Sequence, residues 1–326
     1  MLCGVGAAQG AGRLTLRQLR EEIQRSYEFG DYDRTIELLE ELDRHSPDQA
    51  DTAYSLACCY AMTGQQNEAI RWLRRSADLG FARYRLVSAT DNLERIRALP
   101  GYTQAVARIE ANAKESLVRF KATAPPPDPV VILPPHYDAS QPVALIVSLH
   151  GYGATAPPVA EVWQQAAADV GAIVIAPRAV HKVPNVGYEW GELEEAEFLV
   201  FRAIDHVRAK HAIDSKRVVL TGFSQGAYVS MELGLRHPKL FCGIIPVCGG
   251  AIPDAALLAQ GESLPRFFFM AGDRDGALHD MQRVTSLLEK QGAKARIVVH
   301  ANTAHRFPQD SARATRDALA FILATD

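Results

Sequence analysis

The sequence lacks the features that mark a membrane protein or a nucleic-acid-binding protein. No apolar run in its 326 residues approaches the ~20 residues that a helix needs to cross a bilayer. The 35 lysines and arginines are balanced by 38 aspartates and glutamates, so the net charge of -3 gives no reason to expect nucleic acid or an anionic membrane as a partner. With 48% hydrophobic and 22% charged residues, the composition is that of a soluble globular protein.

Cysteine is scarce, and its pattern argues against two kinds of site. The cysteines are five in number, with no Cys-x-x-Cys pair and no histidine at the spacing of a zinc ligand. We therefore expect buried thiols, with no disulfide framework and no metal site, at Cys3, Cys58, Cys59, Cys242 and Cys248. The apolar start of the chain has no basic stretch and is too short for a whole signal peptide. The expected compartment is the cytoplasm, or the cell exterior if a signal peptide lies upstream.

The N-terminal third of the chain is predicted to be a helical repeat domain. Residues 1–13 are expected to be a flexible N-terminus and residues 14–120 to be helical. The segment that begins at Gly30 aligns with the segment that begins at Gly64, an offset of 34 residues, which is the tetratricopeptide period. In the first copy Pro47 falls on the proline that ends such a repeat, but Thr35 replaces a small alanine. In the second copy the helix-packing positions hold Leu56, Ala57, Tyr60, Gly64, Ala69 and Leu73.

The region thus resembles two tetratricopeptide repeats, followed by a plausible but degenerate third unit that contains Leu93, Ile96 and Leu99. About three units are needed to bury a continuous core. Two roles stay open for this domain. It is either a helical spacer or cap, or a peptide-binding groove for a protein partner or for self-association.

A proline-rich linker over residues 121–129, with Pro125-Pro126-Pro127-Asp128-Pro129 at its end, separates this domain from a second one. From residue 130 to 326 the pattern alternates between strands and helices, which predicts an α/β fold with a doubly wound, mostly parallel sheet. Strands are expected at 130–133, 143–149, 172–176, 217–221, 243–247, 266–271 and 295–300. Helices are expected at 158–169, 192–210, 225–236, 277–291 and 309–324.

The motif Gly222-Phe223-Ser224-Gln225-Gly226 follows one of these apolar strands and opens a helix. In that context Gly-x-Ser-x-Gly is typical of a nucleophile elbow, a tight turn that exposes the serine hydroxyl above the sheet. Ligands of parallel sheets bind beyond the carboxyl ends of the strands. The segments that follow the other strands there contain Asp275, His305 and the loop His150-Gly151-Tyr152-Gly153.

These residues supply the parts of a serine hydrolase, in the chain order Ser, Asp, His of an α/β-hydrolase. A serine hydroxyl needs a base to take its proton, and His305 is the candidate. An acid must orient that imidazole, and we expect Asp275 to do so. Two backbone N–H groups must stabilise the oxyanion, and the candidates are those of Tyr152 and Gln225.

Residues 130–154, the elbow Gly-Phe-Ser-Gln-Gly-Ala, the Gly-x-x-Asp that ends at Asp275 and the His-x-Phe-Pro at His305 resemble serine esterases of the phospholipase/carboxylesterase and esterase-D-like groups. The resemblance covers roughly residues 130–326, and its motifs are specific for the α/β-hydrolase superfamily but not for a substrate. It implies hydrolysis of carboxylic esters or thioesters through an acyl-enzyme, without cofactor or metal.

Several assignments have alternatives. Asp273 is the other candidate for the acid. His150 is expected to shape the oxyanion loop and His300 to be structural, while His181, His206, His211, His237 and His279 are expected at the surface or at helix ends. Tyr188 and Trp190 are either walls of a substrate pocket or ordinary aromatic packing, and Trp72 and Trp163 are expected in the core.

The substrate is predicted to be a small-molecule ester or thioester. The stretch between residues 247 and 266 has no room for a large lid, which favours soluble or exposed esters. A prolyl-peptidase-like serine peptidase is the alternative within the fold. A catalytically inert scaffold that binds protein partners through the repeats is the alternative outside catalysis.

Overall fold

The computed structural model describes residues 14–250 and 263–324. The chain divides into two compact units, Met1–Ala122 and Thr123–Asp326. The predicted flexible N-terminus and most of the stretch in which a lid was excluded lie outside the described residues. In the part that is described, no helix is long and apolar enough to cross a membrane.

The first unit consists of paired helices, as the repeat pattern predicts. Gly30 and Gly64 both adopt a positive φ, 75° and 82°, and each ends the turn after the first helix of its pair. The same left-handed backbone therefore recurs at equivalent positions of the two repeats. The helices are α1 (Leu16–Glu28), α2 (Tyr32–His45), α3 (Ala50–Met62), α4 (Gln66–Asp78), α5 (Tyr84–Ala89) and α6 (Pro100–Thr123), with a 3-10 helix at Asp91–Ile96.

The core of this unit lies mainly between α3, α4 and the segments that follow them. Leu93 and Ile96 of the 3-10 helix are fully buried in the same cluster as Ala105 and Ile109 of α6. Thr35 is also buried, and its hydroxyl donates to the Asp31 carbonyl oxygen at 2.7 Å. The repeat positions that the sequence analysis singled out for packing are buried too: Leu56, Ala57, Tyr60, Ala69 and Leu73. The degenerate third unit therefore completes the core of the repeats.

The second unit is built on a seven-stranded sheet in the order β1-β3-β2-β6-β7-β8-β9. All neighbouring strands are parallel except β1, which pairs antiparallel with β3. The strands are β1 (Val130–Ile132), β2 (Val143–Leu149), β3 (Ile173–Ala176), β6 (Ile213–Phe223), β7 (Gly243–Val247), β8 (Arg266–Gly272) and β9 (Ala295–His300). This confirms the predicted fold class, with the central strands buried on both faces.

The described helices of this unit are α7 (Ala156–Glu161), α8 (Gln164–Asp169), α9 (Leu193–Arg208), α10 (Gln225–Arg236), α11 (Leu278–Lys290) and α12 (Ser311–Ile322). The prediction of a single helix at 158–169 was wrong. The chain breaks it into α7 and α8 because it turns at Trp163, whose side chain is fully buried in the core.

Two further differences concern strands. Strand β6 starts earlier than expected, at Ile213, which pairs with Val143 beyond an irregularity in the register. A two-stranded hairpin of β4 (His181–Val183) and β5 (Gly187–Glu189) was not expected at all. Each of its strands has three residues, too few to produce a visible alternation of apolar and polar side chains.

The buried side chain of Asn112 ties helix α6 to the end of α4, and its loss should loosen the first unit. Its amide nitrogen donates to the carbonyl oxygens of Ala77 at 2.7 Å and Phe81 at 3.0 Å. We expect Asn112→Ala to destabilise these helices by about 1–3 kcal/mol, because buried carbonyls lose a donor. Hydrogen exchange of α4 and α6 in the full chain measures the change. The exposed Asn67→Ala is the matched control, and equal protection in both variants would contradict the prediction.

Candidate active site

Ser224 lies at the sharp turn between strand β6 and helix α10. Its backbone adopts φ 54° and ψ -114°, a conformation that non-glycine residues rarely take. A backbone hydrogen bond ties the turn to strand β7, because the Ser224 N–H donates to the carbonyl oxygen of Val247 at 2.9 Å. The serine therefore stands at the carboxyl edge of the sheet, at the start of a helix.

Two glycines make this turn sterically possible. A Cβ on Gly222 would lie 2.1 Å from the carbonyl oxygen of Gly226, and a Cβ on Gly226 would lie 2.4 Å from that of Leu149. Both distances are far below van der Waals contact with backbone atoms that cannot move aside. Any side chain at either position would therefore push helix α10 away from the sheet.

His305 and Asp275 form one hydrogen-bonded chain with the serine. The Nε2 atom of His305 lies 2.9 Å from Ser224 Oγ, and its Nδ1 atom lies 3.0 Å from Asp275 Oδ1. The Asp275 side chain is only 1% exposed, whereas that of His305 is 50% exposed. The imidazole thus bridges a buried carboxylate and the serine hydroxyl from the open side of the site.

The pKa of the Asp275 carboxyl is set by two opposing effects. Burial would raise it, but hydrogen bonds from the Ala277 N–H and from His305 hold it below its ordinary value. Asp275 therefore remains an anion at neutral pH, as a group that stabilises an imidazolium must be.

Asp273, the alternative acid, has a different set of contacts. Its carboxylate accepts from the backbone N–H groups of Asn302 at 2.9 Å and Thr303 at 3.0 Å. These bonds hold the loop after β9, which carries His305. Asp275 therefore contacts the imidazole of His305, whereas Asp273 contacts the backbone of the loop that carries His305.

The loop after strand β2 runs beside the elbow. A Cβ on Gly151 would lie 3.2 Å from the Cβ of Ser224, so the backbone of this loop packs directly against the serine. Within the described part of the chain, no acceptor is found for the backbone N–H groups of Tyr152 or Gln225. Tyr152 is 61% exposed.

Trp190 supports this loop from below and is fully buried. Its indole N–H donates to the His150 carbonyl oxygen at 2.8 Å, and its ring lies 4.9 Å from the His150 ring. Its backbone N–H donates to the side chain of Gln225 at 3.2 Å. Trp190 therefore connects the two segments that carry the Tyr152 and Gln225 N–H groups. Tyr188, by contrast, is half-buried and lines a cavity beside His150.

The part-buried pair of His181 and Glu195 was missed by the sequence analysis, which placed His181 at the surface; the His181 side chain is 35% exposed and that of Glu195 11%. His181 Nε2 lies 2.8 Å from Glu195 Oε2, and a Cβ on Gly191 would collide with both side chains. The hydrogen bond to Glu195 raises the pKa of His181. This pair fixes the chain next to Trp190. The sequence gives only a weak signal for this pair, because the two residues are 14 positions apart and an unpredicted hairpin lies between them.

Cys248 also lies close to Asp275 and His305, with the three donor atoms within 4.8 Å of one another. Burial raises the pKa of the Cys248 thiol to about 12. The 3.0 Å separation of His305 and Asp275 is that of a hydrogen bond. Within this cluster, His305 and Asp275 are therefore hydrogen-bonded to each other. The cysteines described by the structure are free thiols: Cys58, Cys59 and Cys248 are buried as predicted, whereas Cys242 is only partly buried. Cys3 lies outside the described residues.

Comparison with known proteins agrees with this geometry. A family model described as Phospholipase/Carboxylesterase matches residues 136–320, more than half of the chain. A tetratricopeptide repeat model matches residues 26–89. Both matches confirm the resemblances drawn from the motifs.

Two individual proteins are similar to parts of the chain. Poly(3-hydroxyalkanoate) depolymerase C of Paucimonas lemoignei is 38% identical over 47 residues, which are 14% of this chain and only 11% of that protein. A crystal structure of esterase PE8 superposes with a TM-score of 0.53 at 24% identity and covers 60% of this chain and 99% of that one. The second similarity shows a shared fold.

The His181–Glu195 pair makes the stability of the second unit depend on pH. Because the folded-state pKa of His181 lies above its ordinary value of 6.5, the stabilisation is complete below that pH and is lost as pH rises through the folded pKa. We expect wild type to exceed His181→Gln in unfolding free energy more at pH 5.5 than at pH 9. Urea unfolding at both pH values measures this difference, and a difference that does not change with pH would contradict it.

Proposed function

The chain belongs to the phospholipase/carboxylesterase family, and on that premise we propose that it is a serine hydrolase that cleaves carboxylic esters or thioesters. The observation that carries the proposal is the unbroken hydrogen-bonded chain from Ser224 through His305 to the buried Asp275. Each of these groups has the environment that its role requires. The serine is partly exposed on a strained turn, the base is open to solvent, and the acid is buried and anionic.

In the proposed reaction, Ser224 Oγ attacks the carbonyl carbon of the ester while His305 Nε2 takes the hydroxyl proton. Asp275 keeps the Nδ1–H of the imidazole pointed toward itself and stabilises the imidazolium. His305 then gives the proton to the leaving alcohol or thiol, and the acyl group remains on the serine. A water molecule, deprotonated by the same imidazole, hydrolyses that acyl-enzyme and restores the serine.

The oxyanion of each tetrahedral intermediate is proposed to accept hydrogen bonds from the Tyr152 and Gln225 N–H groups. The support is that both N–H groups lack an acceptor among the described residues and that their segments flank Ser224. Trp190 holds the two segments together through His150 and the Gln225 side chain. We therefore assign Trp190 a positioning role and Tyr188 a contact with substrate.

Removal of the nucleophile should abolish hydrolysis. We expect Ser224→Ala to lower kcat on 4-nitrophenyl acetate by ~10³-fold or more, the scale seen when a triad member is removed. The exposed Ser286→Ala in helix α11 is the matched control and should keep wild-type rates. Equal activity of wild type and Ser224→Ala, with both proteins folded, would overturn the proposed function.

The two neighbouring aspartates should differ sharply in their effect on catalysis. Asp275→Asn should lower kcat by ~10³–10⁴-fold, because a neutral amide neither stabilises the imidazolium nor fixes its tautomer. Asp273→Asn should cost less than about tenfold, since the amide oxygen still accepts from one of the two loop N–H groups and the hydrogen bond between Asp275 and His305 is untouched. Steady-state kinetics of both variants decide between them. A larger loss in Asp273→Asn would identify that residue as the acid.

A further inference from the structure

Two motifs at the candidate active site each contain a phenylalanine that has no part in the proposed mechanism. Phe223 precedes Ser224 in the motif Gly-Phe-Ser-Gln-Gly, and Phe307 lies two residues after His305 in the motif His-x-Phe-Pro. The two rings stack on each other, with their centroids 5.4 Å apart and their planes inclined at 23°. An aromatic contact therefore joins the elbow to the loop after β9.

Phe223 also lies against the imidazole of His305. The centroids of these two rings are 5.2 Å apart, and their planes are inclined at 50°. The loop after β2 packs on the same phenylalanine, since a Cβ on Gly151 would lie 3.0 Å from a ring carbon of Phe223. The ring of Phe223 is thus fixed by its neighbours and contacts the candidate base directly.

Hydrogen bonds hold the backbone of the loop after β9 on both sides of His305. Before it, the Thr303 N–H donates to the Asp273 carboxylate at 3.0 Å. After it, the Cys248 thiol donates to the Arg306 carbonyl oxygen at 3.2 Å. These bonds involve no aromatic ring. We therefore expect a ring that faces the imidazole to act on the imidazole itself and not on the course of the loop.

A contact with an aromatic ring changes in strength when the imidazole takes up a proton. The face of such a ring carries partial negative charge and attracts a cation within about 6 Å of its centroid. In the proposed reaction His305 becomes an imidazolium as Ser224 attacks, and again as water attacks the acyl-enzyme. The attraction to Phe223 is therefore stronger in each transition state than in the resting site, which is the condition for a contact that speeds the reaction.

We propose that Phe223 is a positioning residue of the catalytic base. Its ring holds the imidazole of His305 in place and stabilises the imidazolium that forms during hydrolysis, while Phe307 supports the ring by stacking on it. The proposal rests on the proposed function and adds to it a residue that acts through His305. It also gives a role to the aromatic side chain of each motif.

Removal of the ring should slow the chemical steps without weakening substrate binding. Phe223→Leu keeps an apolar side chain but has no aromatic face. We expect kcat and kcat/KM of the full-length protein on 4-nitrophenyl acetate to fall together by about 3–30-fold, with KM changed less than about twofold, because the contact strengthens only as the imidazolium forms. Phe223→Tyr keeps the ring and should retain at least about half of the wild-type kcat.

Phe321→Leu is the matched control. Phe321 is also half-buried in the second unit, and its ring lies 5.6 Å from that of Phe268, a spacing close to that of Phe223 and Phe307. Its carbonyl oxygen accepts from Arg266, the first residue of β8, whereas the candidate site lies at the carboxyl edge of the sheet. This variant should keep the wild-type kcat.

The pH profile separates stabilisation of charge from simple packing. The titratable side chains clustered with the imidazole are Asp275 and Cys248, and every variant keeps both. In Phe223→Leu the pH at which kcat/KM is half-maximal on the acid side should move down by ~0.3–1 unit, because the protonated base loses a favourable contact. Trifluorophenylalanine at position 223 has nearly the same shape and a weaker negative face, so it should lower kcat and this midpoint in the same direction.

The possible outcomes distinguish this proposal from the proposed function. Wild-type kcat in Phe223→Leu, or an acid-side midpoint that stays at the wild-type pH, would overturn the role of Phe223 and leave the hydrolase intact. Wild-type kinetics in the trifluorophenylalanine protein would overturn it as well, because the shape of the ring would then suffice. Absence of Ser224-dependent hydrolysis would overturn the proposed function itself.

Discussion

The strained backbone at Ser224 is the constraint on which the candidate site depends. Ser224 adopts a φ of 54° at the turn where strand β6 and helix α10 pack closely together. The closeness requires glycine at 222 and 226, where a Cβ would meet backbone atoms. The N–H bond to Val247 then fixes the turn to the neighbouring strand β7. The strain is thus stabilised by the sheet and not by the site.

Everything else at the carboxyl edge of the sheet is arranged around that fixed hydroxyl. Asp273 and Gly272 bind the loop after β9 tightly to the end of β8, since a Cβ on Gly272 would lie 2.0 Å from the Thr303 carbonyl oxygen. This contact positions His305 within hydrogen-bond distance of both Asp275 and Ser224. On the other side, Trp190 holds the proposed oxyanion loop through the His150 carbonyl oxygen, and the His181–Glu195 pair packs against Gly191, next to Trp190. Each functional group therefore has a support that makes no contact with the proposed reacting atoms.

The sequence was sufficient to predict the fold class and the family, because long apolar strands and motifs at strand ends are local signals. The hairpin β4–β5 was missed because three-residue strands carry no periodicity. Asp273 and Asp275 could not be separated, since they lie two residues apart in one turn and only the fold decides which faces His305. The sequence could not predict the cavity lined by His150 and Tyr188, because its walls come from segments up to about 80 residues apart in the chain. The predicted domain boundaries and catalytic roles stay predictions.

The most direct test of the account is to trap the acyl-enzyme. The full-length protein is mixed with 4-nitrophenyl acetate, quenched in acid within the first turnovers and analysed by mass spectrometry of its peptides. The account predicts one acetyl group, of about 42 Da from its chemistry, on the peptide that contains Ser224. An acetyl group on any other residue, or ester hydrolysis in which no acetyl-enzyme forms at Ser224, would contradict it.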